Sequence, residues 1–192
     1  RLRGVGQPLH AVDRPVHPHV REQEGAIGVT RELDAGAGAE GALLAIGADD
    51  AAIELKDLIV AHLQQRDIPV IDYTTDRTAE TGIYPDIAYR VAQAIREEKH
   101  RRGILLCGTG IGMSIVANKV PGIRAAQCHD TYSAQRARKS NDAQIITLGA
   151  RVIGAELAKT IVDAWLESEF EGGGSAPKVE RIGYYENAVG RR

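Results

Sequence analysis

From Ala42 onward, short apolar runs alternate with amphipathic segments of helical length, and no other feature constrains the fold as tightly. Runs at 42–47, 68–72, 103–107, 122–128 and 143–148 read as strands. Stretches near 52–65, 85–98, 111–119, 131–139 and 154–168 read as helices. In the last of these, Leu157, Ile161, Val162, Trp165 and Leu166 line one face. Strands that are apolar on both faces need cover on both. The pattern therefore predicts an α/β three-layer sandwich, a five-stranded parallel sheet of Rossmann-like, flavodoxin-type doubly wound form. Ligands in such sheets bind at the carboxyl ends of the strands, near the point where strand order reverses.

That rule assembles a candidate site from residues alone. The strand ends are followed by Asp49-Asp50, Tyr73-Thr74-Thr75, Cys107-Gly108-Thr109, His129-Asp130 and Gly149-Ala150-Arg151. A carboxylate pair, a thiol, hydroxyls, an imidazole and a guanidinium would meet on one edge, which suits a polar small-molecule pocket. Each has a plainer alternative. Asp130 suits a helix N-cap, Asp49 and Asp50 suit the cap of the first helix, Arg151 suits a surface charge, and His129 suits a satisfied polar residue at a strand end.

The loop Cys107-Gly108-Thr109-Gly110-Ile111-Gly112 lies between an apolar run and a helix-like stretch. Glycines let the backbone approach an anion closely, and the first N–H groups of the next helix lack partners inside it. Helix N-termini also favour thiolates, so Cys107 is a candidate acid or base. The alternative is a small buried hydrophobe. Met113 stands where a dinucleotide fingerprint needs its third glycine, which disfavours nicotinamide and flavin. No Lys-Ser/Thr follows Gly112, which disfavours nucleoside triphosphate hydrolysis.

A formal net charge of −2 over 192 residues gives no electrostatic footprint for nucleic acid or an anionic membrane. No stretch approaches the roughly 18 apolar residues of a membrane span, and none reads as a signal peptide. Cys107 and Cys128 form no C-x-x-C pair, so a cytoplasmic, reducing setting is expected. Residues 1–41, rich in Gly, Pro, Arg and Val, show neither structural period; they are expected to be a disordered extension or a product of where the reading frame opens. His10, His17 and His19 within them have no recognised ligand spacing, so no metal is expected. The working domain is placed at 42–170, with 171–192 a tail that packs on a partner subunit.

Beyond the loop, the chain reads Ala117-Asn118-Lys119, Gly122-Ile123-Arg124, Tyr132-Ser133-Ala134-Gln135, Ser140-Asn141-Asp142 and Leu148-Gly149-Ala150-Arg151-Val152-Ile153-Gly154. At this spacing the sequence closely resembles the ribose-5-phosphate isomerase B and galactose-6-phosphate isomerase family, over about residues 42–185. The resemblance implies aldose–ketose isomerisation through an enediolate, with neither metal nor organic cofactor. It implies Cys107 as the base, Thr109 as a helper in proton transfer, and the N–H groups of Gly108 to Gly112, Gly110 among them, as the anion hole. Asp49 and Asn141 match positions that hydrogen-bond sugar hydroxyls. A site between two subunits, hence a homodimer or homotetramer, is implied as well.

The departures bear on substrate. Ser140 stands where family members acting on ring-forming sugars carry a ring-opening histidine, Asp50 replaces a second histidine, and Gly174 replaces a phosphate-gripping arginine. Lys178 is a basic position four residues on. A tetrose 4-phosphate cannot close a stable five-membered ring and needs no ring opener. The leading expectation is therefore D-erythrulose 4-phosphate and D-erythrose 4-phosphate, followed by ribose 5-phosphate and ribulose 5-phosphate, with His129 as a shifted ring opener. A catalytically weakened sugar-phosphate-binding subunit and a flavodoxin-like module are the readings from other classes. Lys178, Arg151, Arg136 and Arg138 are the candidate phosphate cations; Arg136 and Arg138 fall on opposite sides of a helix, so at most one faces the site.

Overall fold

In the computed structural model, the described residues are 44–74 and 83–189. The expected strand start at 42–43, the extension 1–41 with its three histidines, and Thr75 lie outside them. The strands are β1 (Leu44–Ala48), β2 (Val70–Asp72), β3 (Arg102–Cys107), β4 (Ala125–Gln127) and β5 (Ile145–Gly149). The helices are α1 (Ile53–Gln65), α2 (Tyr84–Arg96), α3 (Ile111–Ala117), α4 (Thr131–Asn141), α5 (Ala155–Leu166) and α6 (Ala176–Val189). All five strands pair in parallel in the order β2-β1-β3-β5-β4. The flavodoxin order would place β4 before β5; here β5 lies inside, and short β4 takes the edge.

Alternate strand residues feed two cores, as the period of a strand requires. On one face Leu44, Ile46, Ile104, Leu106, Ile146 and Leu148 pack under α1, α4 and α5, around a fully buried Trp165. On the other, Ala45, Leu105, Cys107 and Ile145 pack under α2 and α3. The three-layer arrangement is thus the one the apolar runs dictate. Strand order reverses between β1 and β3, which places Asp49 and Cys107 beside the switch point. The Asp49 N–H donates to the Leu106 carbonyl at 3.1 Å, fixing the two ends together.

The tail expected at 171–192 contains α6, preceded by a 3-10 turn at Gly173–Ser175. No apolar stripe marks this helix, and Ile182, Tyr184 and Tyr185 on it are exposed. Among the described residues, no helix is long and apolar enough to cross a membrane.

Candidate active site

The loop after β3 is tied down from below and left open above. The Ala150 N–H donates to the Cys107 carbonyl at 2.9 Å and the Arg151 N–H to the Gly108 carbonyl at 3.0 Å, so the ends of β3 and β5 hold the loop between them. Thr147 Oγ1, fully buried in β5, donates to the Gly110 carbonyl at 2.8 Å. Gln127 Nε2 donates to the Thr109 carbonyl at 2.7 Å. Gly110 turns the chain with φ +78°, and a Cβ there would meet the Leu148 backbone at 3.0 Å. Gly112 lies under Tyr84, where a Cβ would come within 2.5 Å of the ring. Tyr84, Gln127 and Thr147 were not singled out in the sequence, although a threonine inside an apolar strand is a visible signal.

Cys107 is 6% exposed, and its Sγ accepts the Gly110 N–H at 3.0 Å. That contact alters the expected anion hole. The Gly110 N–H belongs to the sulfur, and the Ile111 N–H leans on Thr109 Oγ1 at 3.4 Å. The N–H groups of Gly108, Thr109 and Gly112 have no acceptor among the described residues, so these remain for an anion. The other cysteine is unsuited to proton transfer. Burial, with Asp130 nearby, pushes the Cys128 thiol up to about 12.

Five further residues share this edge. Asp49 caps the turn before α1, its Oδ1 accepting the Ala51 N–H at 3.1 Å. Burial raises its carboxyl above the usual range; Asp50 adds to the rise, while the Ala51 bond and Arg151 oppose it. Asp50 begins the same turn and is exposed. The Arg151 side chain lies over Gly108, whose Cβ would touch its guanidinium at 3.4–3.5 Å. His129 is engaged as the plainer alternative foresaw: its Nε2 accepts the Gly149 N–H at 3.0 Å. Asp130 is the N-cap of α4, and hydrogen bonds from Ser133 hold its carboxyl below the usual range.

Five candidates lie elsewhere in the chain. Helix α4 starts at the carboxyl edge with Asp130 and descends about 16 Å over its 11 residues, so Ser140 and Asn141 sit at the amino edge, away from Cys107. There the Arg124 Nε, just ahead of β4, donates to the Asn141 carbonyl at 2.9 Å. Asp142, with φ 49°, ends the helix in the left-handed region and is held by Arg124 at 2.9 Å and Arg138 at 2.6 Å. Lys178 is exposed on α6, which packs against α4 and reaches the Gly122 N–H through Glu186 at 2.8 Å. Arg138 faces away, lining a 520 Å³ cavity at the amino edge with Arg102 and Glu169. Arg136 turns the other way, to Ser140.

A parallel α/β sheet carrying a thiol, a glycine cradle, carboxylates and a guanidinium at its switch point defines a class of cofactor-sized or smaller anion-handling sites. Comparison with known proteins identifies the class. Residues 44–182 match the family model described as Ribose/Galactose Isomerase. A D-erythrulose-4-phosphate isomerase of Pectobacterium atrosepticum is 72% identical over 144 residues, spanning 75% of this chain and 95% of the relative. Ribose-5-phosphate isomerase B of Escherichia coli is 48% identical over 139 residues, spanning 72% and 93%. The solved ribose-5-phosphate isomerase B of Clostridium thermocellum superposes with a TM-score of 0.72 at 46% identity, covering 77% of this chain and 99% of that one. The chain belongs to the ribose/galactose isomerase family, and it is a sugar-phosphate isomerase that interconverts aldose and ketose.

Proposed function

We propose that this enzyme interconverts D-erythrulose 4-phosphate and D-erythrose 4-phosphate, with Cys107 as the base. The carrying observation is the Cys107 sulfur, seated on the Gly110 N–H at the switch point of the sheet. The thiolate takes a proton from C1 of the ketose and returns it to C2. The electron pair passes from the broken C–H bond to the carbonyl oxygen, and the enediolate oxygen is met by the N–H groups of Gly108, Thr109 and Gly112. Thr109 moves the proton between the two sugar oxygens. Asp49 holds a hydroxyl, and Arg151 adds positive charge across the loop.

The tetrose is favoured by Ser140, which has no imidazole with which to open a ring, and by His129, whose Nε2 is committed to Gly149. The 72% identity to a D-erythrulose-4-phosphate isomerase supports the same order. Ribose 5-phosphate is the second reading, favoured by the ribose-5-phosphate isomerase B relatives.

The working unit in this reading is a homodimer or a larger even assembly in the cytoplasm. Asn141 and Ser140 come to Cys107 from a second copy, because within one subunit α4 holds Asn141 at the opposite edge of the sheet. Beside the loop, Ile111 and Ile115 lie one turn apart on α3 and are 50% and 55% exposed, an apolar surface suited to such a contact. The test is to incubate the purified protein with D-erythrulose 4-phosphate, ribose 5-phosphate and galactose 6-phosphate and follow aldose–ketose conversion. Fastest turnover of the tetrulose supports the reading; faster turnover of ribose 5-phosphate reverses the order, and no turnover of any removes it.

A further inference from the structure

We propose that Arg136 is the cation that grips the substrate phosphate and tunes the site to a short sugar; this rests on the two-subunit isomerase reading above. The inference starts from which cations near Asn141 have donors to spare. Arg124 is engaged with the Asn141 and Asp142 carbonyls and the Asp142 carboxylate. Arg138 is engaged with Asp142 at 2.6 Å and the Ala143 carbonyl, and faces the amino-edge cavity. Arg136 instead meets one neutral hydroxyl, Ser140 Oγ, and one carboxylate at a long 3.5 Å, Glu171.

Glu171 is also shared with Lys139 at 3.6 Å, so two cations face one carboxylate and positive charge is left over. The Arg136 side chain is 39% exposed, so an incoming anion can reach its remaining donors. A guanidinium presents a planar fork that matches two phosphate oxygens. The neighbouring glycine turn contributes no cation: Gly172, Gly173 and Gly174 have open space where a Cβ would be.

Ser140 links this cation to substrate length. Its small side chain leaves room for the guanidinium of Arg136, one turn earlier on α4, to lie directly against it. The positive charge thereby sits next to Asn141 rather than out on α6, where Lys178 projects. A phosphate held close to the sugar-binding asparagine suits a chain one carbon shorter than a pentose.

The experiment compares the wild type with Arg136→Met, Arg136→Lys and Lys178→Met as assembled enzymes, each checked for oligomeric state by size-exclusion chromatography. The readouts are KM for D-erythrulose 4-phosphate and Ki for inorganic phosphate. For Arg136→Met both constants rise together by about ten- to a hundred-fold, the loss of a charge-assisted grip, with Arg136→Lys between. Arg136→Met leaving both at wild-type values, or Lys178→Met raising them instead, overturns the proposal. Wild-type enzyme that does not convert D-erythrulose 4-phosphate refutes the substrate reading instead. In that event the Kd for inorganic phosphate, measured by calorimetry on each variant, judges Arg136.

Discussion

The Gly149 N–H donates to His129 Nε2 at 3.0 Å, and this bond commits the imidazole to closing the end of β5. A backbone N–H can only donate, so the ring nitrogen facing it is the acceptor. His129→Ala leaves a buried N–H unsatisfied and costs about 1–3 kcal/mol in urea unfolding. The ratio of ribose 5-phosphate to D-erythrulose 4-phosphate turnover should not change. Selective loss of the pentose reaction would make His129 a ring opener after all.

Gly110 combines φ +78° with the Leu148 backbone 3.0 Å from the place its Cβ would take. Gly110→Ala is therefore expected to cost about 1–3 kcal/mol from left-handed strain, before any clash is counted. Since the same residue gives Cys107 its N–H and accepts from Thr147, kcat should fall with stability. Unchanged thermal melting with unchanged kcat would show that the loop tolerates another path.

Asp49 has a carboxyl raised above the ordinary 3.8, chiefly by burial and secondarily by Asp50. A raised carboxyl favours the folded state fully below 3.8, and that advantage is lost as pH climbs through the folded value. At pH 7 the charge on Asp49 thus counts against folding. Asp49→Asn, which keeps an oxygen for the Ala51 N–H, should melt at an equal or higher temperature at pH 7 and lose any advantage near pH 3. It should also bind substrate more weakly. A lower melting temperature at pH 7 would contradict this sign.

If the site joins Cys107 of one subunit to Asn141 of another, two inactive variants can repair each other. Cys107→Ala and Asn141→Ala are mixed, unfolded and refolded together. Random pairing makes half of the dimers hybrids with one intact site each, so about a quarter of wild-type activity returns. No recovery, with mixed dimers shown by mass spectrometry, would place the whole site within one subunit.

The sheet was legible because its strands are apolar on both faces, and each expected strand was found within a few residues. β4 shrank from 122–128 to Ala125–Gln127 because Gly122 through Arg124 forms the turn into the strand, pinned by Gln144 and Asn118. Helix α6 left no periodic trace: Pro177 opens it, Gly183 interrupts its middle, and its large apolar residues face outward. At the site, the strand-end rule found Asp49, Cys107, His129 and Arg151. It could not place Ser140 and Asn141, which lie at the other end of α4, because the rule reads only the residues that directly follow a strand and these two close a helix. The Cys107–Gly110 contact was hidden for a different reason: a free N–H and an occupied one have the same sequence.

The most direct test of the account follows the proton that Cys107 is proposed to move. Substrate is incubated in D2O with wild type or Cys107→Ala, while binding of each protein to the same sugar phosphate is measured by calorimetry. The wild type should place deuterium on the substrate carbon beside the carbonyl, and Cys107→Ala should bind the sugar yet place none. Deuterium incorporation by Cys107→Ala at the wild-type rate would show that another group is the base.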